Sequence, residues 1–288
     1  MNDHPIYELD SATLGKYFGE IPQSPKRLFA RGTFPGDPHL VFLTVVGARD
    51  HSRYGKEACE YLIKGLRGYP IVIVSGLAHG IDGIAHESAL AAGLVPIAFP
   101  GSGLGESVLY PAYNRTLGKR ILEAGGCLLS EYAHHERTQH WMFPQRNRLM
   151  AGLSRATLII EARHKSGSRI TTKLATDYNR DVLAVPGEIF NELAEGPNEL
   201  IRMGATPITS PTELLEALGF EVTPKPPADL FSQCTDDEAV ILKLLASPKL
   251  RGDVIRESGL PIHQANILLS QMEIKGLIKD VGGELRRV

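Results

Sequence analysis

Six short runs of β-branched and apolar residues punctuate the chain, at 40–46 (LVFLTVV), 71–75 (IVIVS), 95–99 (VPIAF), 127–130 (CLLS), 157–161 (TLIIE) and 182–185 (VLAV). They are apolar nearly throughout and do not alternate with polar positions, the pattern of strands buried on both faces. Between them lie longer amphipathic stretches with helical spacing, among them YGKEACEYLIKGLRG (54–68), GIDGIAHESALAAG (80–93), YNRTLGKRILEAGG (113–126) and RITTKLATDYNR (169–180). Buried strands alternating with helices predict an α/β, doubly wound, mostly parallel Rossmann-like sheet over residues 38–219. Residues 1–37, with scattered proline and glycine, read as an irregular or lightly helical N-terminal extension.

Polarity changes after residue 219. Three prolines within EVTPKPPADL (221–230) mark a linker over 220–230. Beyond it come three helix-length segments, the second and third separated by Gly259-Leu260-Pro261, and then two short runs around Gly282-Gly283, a hairpin signal. Helix, helix–turn–helix and hairpin predict a C-terminal winged-helix domain over 231–288. That segment holds eight Lys/Arg and eight Asp/Glu, and the segment in the place of a recognition helix, IHQANILLSQME, has neither Lys nor Arg. Duplex affinity leans on phosphate neutralisation, so a protein-contact or modulating role is expected of it, not sequence readout.

With 288 residues, 43% hydrophobic, the chain has enough apolar material for one large domain and a smaller one. A formal net charge of −2 excludes a globally basic nucleic-acid binder, so any such contact must come from a local patch. The three cysteines are far apart with no CxxC pair, which fits a reduced, cytoplasmic protein. No signal peptide or membrane-length apolar run is read, and no cofactor is called for.

In an open parallel sheet, ligands bind beyond the carboxyl ends of the strands. Four such ends are rich in glycine or hydroxyls: VGARD (46–50), SGLAHGID (75–82), PGSGLGES (100–107) and EARHKSGSRITT (161–172). Glycine lets backbone N–H groups approach a phosphate, and a helix N-terminus adds partial positive charge. Gly47, Ser75, Gly76 and Gly80 are candidates on this ground, with Arg49, Arg163, Lys165 and Arg169 supplying charge. PGSGLGES lacks the last glycine of a dinucleotide fingerprint and follows the third strand, not the first, and SGS-x₂-TT lacks the GK[ST] of a P-loop, so neither an NAD enzyme nor a P-loop ATPase is read.

The stretch HWMFPQRNRLM (140–150) joins an aromatic surface to a cluster of amide and guanidinium groups. Bases stack on aromatic faces and phosphates pair with guanidinium groups, so a single strand would use both. The competing reading is a helix that starts near Pro144, packs Phe143, Leu149 and Met150 inward and solvates its arginines. Asp82 and His86, four apart on one helix, read as structural more than catalytic, and His134, His135 and His140 as a wet loop, not a metal site.

VGAR, SGLAHGIDGIAHESAL, YPAYNRTL, LLSEY, MFPQRNRLMAGLS, EARHKSGSRITTKLA, VLAVPG and GPNELIRMGA follow one another in the order and rough spacing of the DprA/Smf family of bacterial DNA-processing proteins, which this chain resembles over about residues 25–219. The resemblance implies a Rossmann-like domain that forms a homodimer, binds single-stranded DNA during natural transformation and hands it to the RecA recombinase. It carries DNA contacts onto Arg49, Arg146, Arg148 and Ser166-Gly167-Ser168, with Asn147 and Arg169 beside them. Relatives often have a lysine just after the YP pair; Ala112 stands there, and Arg115 is near enough to substitute. The N-terminal helical domain of many relatives looks truncated. The reading is a non-enzymatic, low-specificity single-strand binder. Its rival is a nucleotide or phosphoribosyl hydrolase of the lysine-decarboxylase-like Rossmann group, whose PGGxGTxxE motif is missing here.

Overall fold

The computed structural model describes residues 4–164, 166–222 and 234–287; Lys165 and residues 223–230 of the expected linker lie outside them. The described residues form two compact units that divide after Val222. In chain order the first unit has strands β1 (Ile6–Glu8), β2 (Phe29–Gly32), β3 (Val41–Val46), β4 (Ile71–Ser75), β5 (Val95–Ala98), β6 (Cys127–Ser130), β7 (Ala156–Ile159), β8 (Asp181–Ala184) and β9 (Thr206–Pro207). Its helices are α1 (Ser11–Phe18), α2 (Arg53–Lys64), α3 (Ile81–Ala92), α4 (Arg115–Glu123), α5 (Met142–Leu153), α6 (Ser168–Asp177), α7 (Glu195–Arg202) and α8 (Pro211–Ala217).

All nine strands join one sheet in the order β1-β2-β6-β5-β4-β3-β7-β8-β9. The six apolar runs became β3 to β8, and every pairing among these strands is parallel. Strand residues send side chains alternately to the two faces, and both faces are covered. Leu43, Val45, Ile71 and Ile73 pack with Leu62 and Ile63 of α2, Ile81 and Ala85 of α3 and Leu214 of α8. Phe42, Val72 and Val74 pack on the other side with Phe18 of α1 and Leu149 and Met150 of α5. The hydroxyl of Thr44, fully buried in β3, donates to the Met150 carbonyl (2.9 Å) and lies 2.8 Å from the Ser154 hydroxyl, fastening the end of α5 to the sheet centre.

The N-terminal stretch differs from the irregular extension expected of it. β1 pairs antiparallel with β2, and β2 pairs antiparallel with β6, so residues 6–32 extend one edge of the main sheet. Asp10 caps α1 between them, accepting from the Thr13 backbone N–H at 2.8 Å. These strands, IYE and FARG, mix charged residues into short runs and lack the continuous apolar pattern of β3 to β8.

β3 is the first parallel strand in the chain. β4, β5 and β6 follow on one side of it, and β7, β8 and β9 on the other. The order therefore reverses between β3 and β7, and their carboxyl ends open onto the crevice where this architecture binds ligands.

The second unit contains α9 (Asp236–Leu244), β10 (Lys249–Leu250), α10 (Arg251–Glu257), α11 (Ile262–Ile274), β11 (Ile278–Val281) and β12 (Glu284–Arg287). β12 lies between β10 and β11, antiparallel to both. Gly282 and Gly283, at φ +66° and +90°, make the β11–β12 turn in a region that L side chains avoid. Ile241, Leu242, Val254, Leu269, Met272 and Leu285 form its core.

Candidate nucleic-acid interface

The loop after β3 and the start of α6 face one another across the crevice. With the first turns of α5 they line a cleft of about 480 Å³ that includes Gly47, Arg49, Arg146, Asn147, Ser166, Gly167 and Ser168. Seven of the residues singled out in the sequence thus meet at the strand-order reversal. Arg49 is exposed, has no carboxylate at ion-pair distance among the described residues, and stands 5.5 Å from the ring of Phe143 in a cation–π contact. Opposite it, α6 begins at Gly167, which brings no side chain of its own, and the Ser166 hydroxyl accepts from the Ser168 backbone N–H at 3.3 Å. Its Ser166 and Ser168 hydroxyls lie 2.7 Å apart, and a side chain at Gly167 would project into open space. An exposed cation facing the positive end of a helix and two hydroxyls is suited to an anion.

The remaining sequence candidates lie elsewhere or are engaged by other groups of the protein. Ser75 is buried, and its hydroxyl donates back to the Val45 carbonyl at 2.7 Å. Gly80, at φ +77°, allows the loop after β4 to pass over the one after β3; a Cβ there would stand 2.3 Å from the Ala48 carbonyl oxygen. Arg115 holds its own turn, donating to the carbonyls of Leu109 (3.1 Å) and Ser107 (2.7 Å), and borders a separate cavity with Arg31. Arg169 pairs with Glu199 at 2.9 Å. Arg163, exposed, lines the cleft but is shared between Asp50 (3.3 Å) and Glu192 (3.4 Å).

Neither reading of the 140–150 stretch describes its arginines. Arg146 is only 6% exposed, and its guanidinium donates to the carbonyls of Gly76 and Phe99, to the Asn147 side-chain oxygen (3.0 Å), and faces Asp82 at 3.7 Å. It ties the ends of β4 and β5 to the start of α5 beneath the cleft floor. Gly76 is required for this, since a Cβ would stand 2.2 Å from the guanidinium. Arg148 is also buried and pairs with Glu131 at 2.5 Å. Neither guanidinium is solvated, and both are engaged inside the protein. Burial raises the Asp82 carboxyl above its ordinary range, against the pull of Arg146. Burial, with Arg146 nearby, pushes the His86 imidazole down to about 3, so it sits in the core as a neutral ring.

The loop after β5 is occupied too. The backbone N–H groups of Gly103 and Gly105 donate to the carbonyls of Glu136 (2.9 Å) and His134 (2.8 Å), so the 133–136 segment covers the donors that the glycines were expected to offer a phosphate. The α2 N-terminus is likewise filled: Glu161, buried at the end of β7, accepts from the Ser52 backbone N–H (2.8 Å) and hydroxyl (2.5 Å).

Sequence reasoning named the aromatic surface of 140–150 and missed Tyr110 and Tyr113, which stand beside it. Tyr110 lies 5.7 Å from Phe143, and Tyr113, 59% exposed, lies 5.4 Å from His79. Trp141, 56% exposed, sets its ring edge-on to Tyr132. Exposed aromatics of this number were the available signal.

The profile of the DNA recombination-mediator protein A family matches residues 8–219, the whole span that carries this cleft. The chain belongs to that family. Protein Smf of Escherichia coli K12 is 36% identical over 98% of this chain and 76% of its own length. DNA processing protein DprA of Streptococcus pneumoniae is 36% identical over 74% of this chain and 80% of its own. Among solved structures, S. pneumoniae DprA superposes with a TM-score of 0.66 at 37% identity, covering 76% of this chain and 75% of that one. Helicobacter pylori DprA, whose structure was described for its single-stranded DNA binding mode, gives 0.65 at 29% identity, covering 75% and 97%. The family profile ends before the second unit, whereas the likeness to Smf continues through it. No helix among the described residues is long and apolar enough to cross a membrane.

Proposed function

We propose that this protein is a non-enzymatic single-stranded DNA-binding protein that protects incoming DNA during natural transformation and recombination and passes it to the RecA recombinase in the cytoplasm. One observation carries the reading: an exposed Arg49, unpaired with any carboxylate among the described residues, faces the Ser166-Gly167-Ser168 turn at the start of α6 across the strand-order reversal. A backbone phosphate seated between Arg49, the Ser166 and Ser168 hydroxyls and the Gly167 backbone would receive charge and hydrogen bonds at once. Its base would lie against Phe143, a stacking contact indifferent to base identity. Arg146 holds the floor of this site in place, and Arg169, paired with Glu199, fastens the start of α6 to α7. The DNA-processing relatives and the single-strand binding of the H. pylori protein support this assignment.

The cleft does not favour the hydrolase reading. Its lining carboxylates are Asp50, which faces Arg163, and Asp82, which lies beneath Arg146, so neither is positioned as a free general base. The handover to RecA and a homodimer that doubles the groove are proposed with the same family reading. We assign the second unit as a winged helix that serves protein contact. The α11 residues Ile262, Ile267 and Ile274 are exposed and α11 itself carries no Lys or Arg, which supports this.

Photo-crosslinking tests the placement. Iodouracil-substituted single strands should crosslink to peptides containing Phe143 and the 46–50 and 166–171 segments; crosslinks confined to residues 234–287 would remove the cleft from the account.

A further inference from the structure

The cleft is too small to hold more than a short piece of a strand, so the chain must leave it in some direction. Towards α7 the cations are already engaged: Arg163 lies between Asp50 and Glu192, and Arg169 pairs with Glu199. On the opposite side a small hollow lined by Arg49, His79, Tyr110, Tyr113 and Phe143 adjoins the cleft. His79 and Tyr113 also line a groove of about 400 Å³ between α2 and α3, together with His51, Lys56 and Asn114. Arg49 is common to the cleft and the hollow, and His79 and Tyr113 are common to the hollow and the groove, so the three form one continuous track.

We propose that Tyr113 and His79 form an outer subsite that stacks a base of the strand held in the cleft; the inference rests on the single-strand reading and extends it. The His79 ring is oriented by a hydrogen bond, and the turn that carries Tyr113 is anchored beside it. Nδ1 of His79 is 2.8 Å from the Arg49 carbonyl oxygen, so the imidazole is oriented by the same loop that presents the phosphate-binding cation. The turn carrying Tyr113 is fastened to the loop carrying His79 by Asn114, whose amide donates to the carbonyls of Leu77 (2.8 Å) and Ala78 (3.1 Å). The two rings meet edge to face at 81°, leaving the 59% exposed Tyr113 face open to a planar ligand. A large aromatic surface on an anchored turn loses little entropy on binding, which suits a stacking platform.

The chemistry of this subsite differs from that of the cleft. Glu60 and Glu87 at the outer groove are matched by Lys56 (3.7 Å) and Arg120 (2.6 Å), so the groove offers a phosphate little net charge. Its contribution comes from the base and is insensitive to salt, whereas a phosphate contact weakens steeply with ionic strength. Ala112 fits the same picture: the position directly before Tyr113 brings no cation.

The test is a titration of the full chain with single strands of about six nucleotides, each carrying the fluorescent base 2-aminopurine at a different position, at two salt concentrations. Tyr113→Ala should weaken binding about tenfold at both concentrations and abolish the quenching of one 2-aminopurine position, while Tyr113→Phe retains both properties. His79→Ala should give the same loss at the same oligonucleotide position. If Tyr113→Ala and His79→Ala bind and quench as the unaltered protein does while Arg49→Ala still weakens binding, the outer subsite is wrong and the cleft stands. If Arg49→Ala is also without effect, the single-strand reading falls, and the subsite with it.

Discussion

Arg146→Ala is expected to lower the stability of the first unit by about 3–5 kcal/mol, the cost of removing one partner from a buried ion pair. The substitution strands four acceptors at once. The carbonyls of Gly76 and Phe99 and the Asn147 side-chain oxygen lose their donor, and Asp82, 7% exposed, loses the cation beside it. The cavity left under the floor of the cleft adds to the loss. Asp82→Asn in the same chain removes the uncompensated charge, so the double variant should be less destabilised than the sum of the two single variants. Urea unfolding followed by circular dichroism measures both. A midpoint for Arg146→Ala within about 0.5 kcal/mol of the unaltered protein, the range of ordinary surface substitutions, would show that this guanidinium is not a structural tie.

The second large effect is on binding. Arg49→Ala should reduce single-strand affinity by about tenfold or more at low salt, because it removes the exposed cation of the cleft without breaking any ion pair. The dependence of log K on log salt should flatten by about 0.7, the share of one phosphate in a single strand. Folding stability should be unchanged, since the side chain is exposed and its main contact is the Phe143 ring. The contrast between the two arginines is informative in itself. Arg146→Ala would weaken binding only by loosening the fold, and Arg49→Ala only by removing a contact. A loss of affinity in Arg49→Ala with the salt slope intact would assign it to stacking on Phe143, not to phosphate.

How far the sequence could be read depended on the range of the interactions involved. The six buried strands were legible because a strand covered on both faces must be apolar along its length, and the runs at 40–46 and 71–75 are. β1, β2 and β9 were not, because IYE, FARG and TP are short runs with polar positions among them and carry little pattern of their own. Within the site, Gly47, Arg49 and Ser166–Ser168 were legible as strand-end loops, and the fold brings them together. Arg146 was not: a guanidinium at a helix start has the same local sequence whether it faces a phosphate or the carbonyls of two strands. Only the arrival of Gly76 and Phe99 beside it, 70 and 47 residues away in the chain, settles its position. The same holds for the glycines of 100–107, whose N–H groups are taken by a segment some 30 residues further on.

The Rossmann-like unit and the second unit make different electrostatic offers. In the cleft an exposed cation and a helix start converge, whereas α11 presents isoleucines and no cation. Single strands can wrap their phosphates into a cleft and expose bases to aromatic rings, and a duplex can do neither. The most direct test is therefore a fluorescence anisotropy titration of the full chain with labelled single- and double-stranded oligonucleotides of the same sequence at two salt concentrations. The account predicts tight binding to the single strand that weakens with salt, and at least tenfold weaker binding to the duplex. Equal affinity for both forms, or binding to neither, would contradict it.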